Sequence, residues 1–514
     1  MTKCLVLGTA LAAALGCSGS GSSEGTTGSA PPPAMDPLIQ EGDIVWLDDP
    51  VLYVLNQTNG LSVVGLGNPA APLLIGRVAL QGTPRELYLK DGYVLAINSD
   101  VYDSSSKLGS RITVIDVRRP EAPSVVGYQA LSGKTTNSRL VKDVLYTASD
   151  SGQTIESVDL TDPSWPRLVD RLTLPLGAYG SHVLATENVF YVATLSYGGV
   201  GMGECGSYSY DNEGCTTIFA VDISAGSGAL RFGANYAMAG MLKDRWGMDA
   251  YEGVLRVLLA RGGWWTSNGS LTATLRTFRS PDASKLDPLA TLSLSTAQLE
   301  KVMAVRFDGP RGYLVTFRQT DPLFTLDISD PVRPSVAGYL QTPGWLDFII
   351  PRGDRLLAIG RDQDRQTLVW RLHASLYDVT NLASPRLMER ILFGDNYSAL
   401  PDQADNLAKV VRLVDGLGLL LVPYNATSAG YSRDTGKLEV ISYAGDKLAS
   451  YGRITSADPI VRAVPLPPNH IAAVSEPAVG VIQLTPELAV TGVVDLNQPV
   501  TGTPAASLDG GARD

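Results

Sequence analysis

Short apolar runs alternate with polar turns rich in Asp, Asn, Gly and Pro along almost the whole chain. The stretch 85–97 shows the pattern well: two alternating segments meet at Asp91-Gly92, a two-residue signal for a β-hairpin. The same arrangement returns at 302–317 around Asp308-Gly309 and at 348–359 around Gly353-Asp354. Helical periodicity is absent from these stretches, which excludes an α-solenoid.

A longer unit encloses these hairpins. An apolar strand ends in Asp, a short polar turn follows, and two prolines three residues apart precede another strand. Three copies nearly superimpose, with strand-ending Asp116, Asp159 and Asp327 and with proline pairs Pro120/Pro123, Pro163/Pro166 and Pro331/Pro334. Weaker copies keep both prolines (Pro69, Pro72), one (Pro385), or only the strand and its Asp222. Asp-Pro or Asn-Pro stops a ladder and sets a turn, and the second proline starts an outer strand, where a missing N–H is tolerated. The second proline recurs at 72, 123, 166, 334 and 385, and the long gap divides into three further units. A period near 50 built from strands and turns predicts a β-propeller. Outer strands are expected near 78, 128, 170, 233, 291, 338, 390, 451 and 494. The expectation is one large all-β propeller of eight or nine four-stranded blades, with room for one end unit that only completes another's sheet.

The ends differ in kind. Residues 1–17 read as a lipoprotein signal peptide, an apolar run too short to span a bilayer that closes on Ala14-Leu15-Gly16-Cys17. This segment resembles a bacterial lipobox, with Ala14 where Leu is usual, and Cys17 is the expected lipidation site. Residues 18–41 form a Gly/Ser/Pro-rich linker, 42–498 the propeller and 499–514 a flexible tail. Of four cysteines only Cys205 and Cys215 fall in the body, and in an exported chain so close a pair predicts a disulfide. Zinc would need two more ligands, and His182, His373 and His470 lack metal spacing. A formal charge of −11 with no long basic run argues against nucleic-acid binding and against holding an anionic membrane by charge, leaving the lipid anchor as the membrane contact.

The stretch 315–331, running on through Pro343-Gly344 to Ile359-Gly360-Arg361-Asp362, is similar to the signature of secreted bacterial and archaeal β-propeller-domain proteins. The double-proline turns also resemble the LVIVD-type repeats of cell-surface propellers. The resemblance is specific over about 302–362 and diffuse over roughly 40–496. It implies fold and an extracytoplasmic location, and since that family is not tied to one reaction it implies no activity.

Enzyme-like patterns fail on context. Gly21-Ser-Ser23-Glu-Gly25 has nucleophile-elbow spacing but lies in the linker. Gly127 to Thr135 has one residue too many between its glycines for a phosphate loop. The seven tryptophans do not recur by blade, as they would in a quinone-dependent dehydrogenase. No catalytic residue and no cofactor is expected; Ca²⁺ is possible at Asp100 with Asp103, or at Asp211 with Glu213, although such residues also simply make turns. Two clusters are binding candidates. Arg318 with Asp321 and Arg361 with Asp362 follow second strands of adjacent units, where ion pairs that lock blades together are the competing role. Trp264 and Trp265 sit in a polar Gly-rich loop of the kind that contacts protein or glycan.

These observations predict an exported, lipid-anchored binding or scaffold protein of the cell envelope, at the outer membrane or in the periplasm, whose partners are envelope proteins or glycans. The alternatives are a polysaccharide hydrolase or lyase with acids at the propeller axis, and an outer-membrane assembly factor that pairs with exposed strand edges.

Overall fold

The computed structural model of the chain describes residues 38–102, 108–175, 181–196, 205, 214–261, 272–294, 301–317, 321–363, 366–395, 398–401, 406–426 and 435–500. They form nine antiparallel sheets, each with four strands in sequence order, at 45–78, 83–131, 135–173, 181–239, 248–294, 301–342, 345–393, 412–456 and 460–495. These are blades 1 to 9 of a propeller. Every blade is one contiguous piece of chain, so no end unit completes another's sheet. The extra strand is Ile39–Gln40, which pairs with the innermost strand of blade 3 in the register Ile39 to Val141 and Gln40 to Leu140. It falls inside the range read as linker, because the inner edge of a blade offers unpaired backbone groups that an extended segment can take.

The core lies between blades rather than within them. Nine apolar clusters fill the nine interfaces, as where Tyr146 and Val144 of blade 3 pack on Phe190 and Phe219 of blade 4. A buried tyrosine recurs in the second strand of five blades, at Tyr53, Tyr146, Tyr191, Tyr313 and Tyr424. The ninth cluster joins Leu52, Val64 and Leu74 of blade 1 to Leu466, Val481 and Leu496 of blade 9 and so closes the ring. Polar contacts reinforce that seam: Asn56 donates to the Glu476 carbonyl at 3.2 Å and Thr491 to the Pro69 carbonyl at 3.2 Å.

The repeated turn has a structural reason. The Asp that ends the third strand accepts the N–H two residues on, at Asp116, Asp159, Asp222, Asp327 and Asp378. The residue before the first proline, or its equivalent, does the same at Asn68, Asp162, Asp282, Asp330 and Asn381. These Asx turns replace ladder bonds that proline cannot make. In all nine blades a bulge follows between the third and fourth strands. Each finished turn then abuts the preceding blade, as where Thr277 of blade 5 donates to the Pro331 carbonyl at 2.6 Å and Thr325 of blade 6 to that of Leu382 at 2.5 Å. The outer-strand glycine of the motif makes room for it: a Cβ on Gly338 would lie 2.4 Å from the Leu382 carbonyl oxygen.

The Asx-turn acids carry a pH dependence. The Arg118 guanidinium and backbone N–H draw the Asp116 carboxyl down to about 2, and Arg167 with Thr161 does the same for Asp159. At Asp378 burial works upward, but Thr380, Arg386 and Arg355 outweigh it and the carboxyl also falls to about 2. A depressed folded-state pKa gives stabilisation that is complete above the unfolded value near 4 and is lost as pH falls toward 2. The urea midpoint is therefore expected to be flat between pH 7 and about 5 and to drop between about 4 and 2. Asp159→Asn should flatten part of that drop, and an unaltered profile would show that the turns contribute nothing to it.

Alternating strand direction separates the connections onto two faces. First-to-second hairpins and the double-proline turns emerge on one, the turn face. Second-to-third connections and blade-to-blade links emerge on the other, the loop face. The connections 197–214, 262–271, 318–320 and 427–434 all join second to third strands. Among the described residues no helix is long and apolar enough to cross a membrane.

Candidate functional site

The axis of the ring is occupied by the chain's own first described residues. The Leu38 carbonyl accepts the N–H of Lys142, which lies in the turn-face hairpin of blade 3, at 2.8 Å. From there Ile39–Gln40 climbs the inner strand of blade 3. The segment then crosses to blade 2, where Asp43 and Leu87 form an isolated antiparallel bridge, and turns into blade 1 at Val45. Gly42 is needed at the crossing: a Cβ there would lie 2.8 Å from Cβ of Glu86 and 2.9 Å from the Tyr88 ring.

Two carboxylates on this segment collect cations from around the ring. Glu41 pairs with Arg139 of blade 3 at 3.4 Å, with Arg245 ahead of blade 5 at 2.9 Å and with Lys409 ahead of blade 8 at 3.5 Å. Lys409 is carried by the short helix Leu407–Val410. Asp43 pairs with Arg412 of blade 8 at 3.0 Å and Arg462 of blade 9 at 2.9 Å. Burial pushes the Glu41 carboxyl up, but Arg139, Arg245 and Lys409 together hold it below its ordinary range. Glu86, on the inner strand of blade 2, goes the other way. Burial raises it and outweighs Lys409 at 3.5 Å and the Ser138 hydroxyl that donates to it.

Arg139, Arg306 and Arg462 occupy the middle of the innermost strand in blades 3, 6 and 9. Each donates to the carbonyl of its own preceding residue, at 2.6, 2.7 and 2.8 Å. Trp246 is held between two of the axial cations, with the guanidinium carbons of Arg245 and Arg306 each 3.9 Å from its ring centroid. Between the axial segment and the walls of blades 2, 3, 5, 8 and 9 remains a cavity of about 320 Å³. Its wall includes Arg85, Arg245, Lys409 and Arg462, the carboxylates of Glu41, Asp43 and Glu86, and the polar side chains of Thr136, Asn137 and Asn406. Chemically this is a preorganised cationic lining whose acids are already neutralised.

The residues singled out from sequence lie elsewhere. Cys205 and Cys215 form a disulfide, and Cys215 starts the third strand of blade 4. Asp362 accepts from Arg390 at 2.8 Å, and Arg361 lies 3.9 Å from Asp347, all within blade 7. Asp100 is taken by Lys134 at 3.1 Å and Arg85 at 3.6 Å. Asp321 begins the third strand of blade 6. Cys17, Trp264, Trp265, Arg318, Asp103, Asp211 and Glu213 lie outside the described residues. Among the described residues no three His, Cys, Asp or Glu side chains gather as a metal site would require. His182, His373 and His470 belong to blades 4, 7 and 9. A different tryptophan pair stands at the loop-face end of blade 7, where the rings of Trp345 and Trp370 meet at 36° with centroids 4.8 Å apart, beside Arg361 in the strand register.

None of the axial acids and cations was singled out from sequence. An arginine inside an innermost strand is the signal that could have found those of blades 3, 6 and 9, most clearly at Arg306 and Arg462, whose strand neighbours are mainly apolar.

Comparison with known proteins agrees with this architecture. A profile described as a β-propeller domain matches residues 37–162 and 148–464. An uncharacterised protein of Methanocaldococcus jannaschii is 32% identical over 154 residues, 30% of this chain and 23% of that one. An uncharacterised protein of Archaeoglobus fulgidus is 32% identical over 163 residues, 32% of this chain and 23% of that one. The chain thus spans about a quarter of the length of these relatives. Among solved structures, a functionally unknown protein from Desulfotomaculum acetoxidans superimposes with TM-score 0.34 and 13% identity, covering 66% of this chain and 91% of that one. The periplasmic gluconolactonase of Pseudomonas aeruginosa gives 0.37 and 12%, covering 65% and 89%. The dihydro-heme d1 dehydrogenase NirN gives 0.40 and 14%, covering 67% and 64%. With the profile extending over most of the nine-bladed ring, the protein belongs to the β-propeller-domain family.

Proposed function

We propose that the protein is a non-catalytic binding or scaffold protein of the cell envelope, tethered through a lipid on Cys17 and presenting its loop face to protein or glycan partners. The observation that carries this reading is the filled axis. Glu41 and Asp43, which would be the natural acids of an axial active site, are each held by two or more cations. The chain also enters the ring from the turn face at Leu38. A tether on residues before it would favour a loop face turned away from the membrane, with the Trp345–Trp370 pair at the end of blade 7 on that face.

The test is affinity purification of the tagged protein from envelope extract, with partners identified by mass spectrometry. Cys17→Ala should move the protein out of the membrane fraction. Trp264→Ala with Trp265→Ala, in the blade 5 connection, should lose partners that a turn-face change such as Arg333→Gln keeps; an identical partner set in both variants would sink the loop-face reading. A polysaccharide hydrolase or lyase is the second reading, favoured by Glu86, whose raised carboxyl borders the axial cavity as a general acid would. Release of new sugar ends by the wild type and none by Glu86→Gln would put that reading first.

A further inference from the structure

We infer that the axial cavity is a binding site for a small hydroxylated anion, a sugar bearing a carboxylate or a phosphate, independent of which partner the loop face takes. Three observations converge on this chemistry. The first is charge. Arg85, Arg245, Lys409 and Arg462 line the cavity with Arg139 and Arg412 behind them, against the three carboxylates of Glu41, Asp43 and Glu86. Including Asp100 and Lys134, which share the outer end of Arg85, leaves the same positive excess.

The second is size. A volume of about 320 Å³ is at the lower end of small-molecule sites and suited to one sugar ring with its charged substituent. The third is the remaining lining. Thr136 and Asn137 already donate to the Ala148 and Ser181 carbonyls, at 3.1 and 3.3 Å, which leaves their oxygens to accept from ligand hydroxyl groups, and among the described residues the only apolar side chains that line the space are Ile44 and Pro84. The first strands that carry Pro84, Arg85, Thr136 and Asn137 begin on the loop face, so the cavity is reached from that side. Arg245 and Lys409, both on the cavity wall, would take the anionic group of such a ligand.

The experiment is titration calorimetry on the full chain with galacturonate, glucose 6-phosphate and neutral glucose. At least one of the two anions is expected to bind, with affinity falling as NaCl rises from 0.05 to about 0.5 M, and glucose is expected not to bind. Preference for galacturonate or for the phosphate ester identifies which anionic group the site takes. Arg85→Gln alters a wall residue whose side chain is 36% exposed, so the fold should survive; it is expected to weaken binding about tenfold. Arg333→Gln on the turn face should bind as wild type. The proposal fails if neither anion binds at millimolar concentration, if glucose binds as well as they do, or if an Arg85→Gln protein with an unchanged unfolding midpoint binds undiminished.

Discussion

Glu41→Ala is expected to destabilise the protein by about 3–5 kcal/mol, the loss seen when one partner of a buried ion pair is removed and its counterions stay behind. The side chain is only 14% exposed, and its removal leaves Arg139, Arg245 and Lys409 facing one another across the axis. Lys409 keeps Glu86, but Arg139 and Arg245 lose their shared carboxylate. Glu41→Gln should recover part of the loss, since an amide oxygen still accepts hydrogen bonds while the charge is gone. Urea unfolding at pH 7 measures both. A loss below about 1 kcal/mol would mean that the axial segment sits loosely and that its pairs behave like exposed ones.

Gly492→Val is expected to cost about 3 kcal/mol, at the upper end for overpacking, and to act on ring closure. A Cβ at this outer-strand position of blade 9 would lie 2.4 Å from Cδ of Pro72 and 2.8 Å from the Pro69 carbonyl oxygen. Both belong to the double-proline turn of blade 1, and Thr491 beside it donates to the same carbonyl. Nothing flexible can yield there, so the seam must open or the strand must shift. Gly67→Val is the control: it lies in an open position of blade 1 with nothing within 4 Å of a Cβ, and it should change stability by less than about 0.5 kcal/mol. Equal effects at the two positions would show that the seam is no tighter than the surface.

The repeat was legible because its cause is local. Asp, Asn, Gly and Pro fix the turn wherever the chain lies, and each of the nine outer strands placed from sequence falls inside a fourth strand, from Leu73–Val78 to Ala489–Asp495. The axial site was illegible for the opposite reason. Glu41 and Asp43 read as the end of a polar linker, and their partners at 139, 245, 409, 412 and 462 carry no common local motif. Only ring closure brings them within reach. The binding candidates Arg361 and Asp362 are legible as charged positions at a strand end, but sequence does not show that Arg390, two strands across the blade, binds Asp362.

The axial segment precedes all of its partners, and two of them come from the last two blades. Asp43 meets Arg412 and Arg462, 369 and 419 residues later in the chain, and blade 1 finds its last neighbour only when blade 9 exists. A chain emerging from its N-terminus can build blades one after another by nearest-neighbour contact, as other repeat proteins do. Its axial segment can pair with blades 2 and 3 early, but Asp43 gains Arg462 only when the final blade is in place. A truncated copy that lacks blade 9 would carry a bare apolar flank on blade 1 and a dangling, half-neutralised start, both easily found by a protease or chaperone. The axis is therefore fully paired only in a ring that includes blade 9.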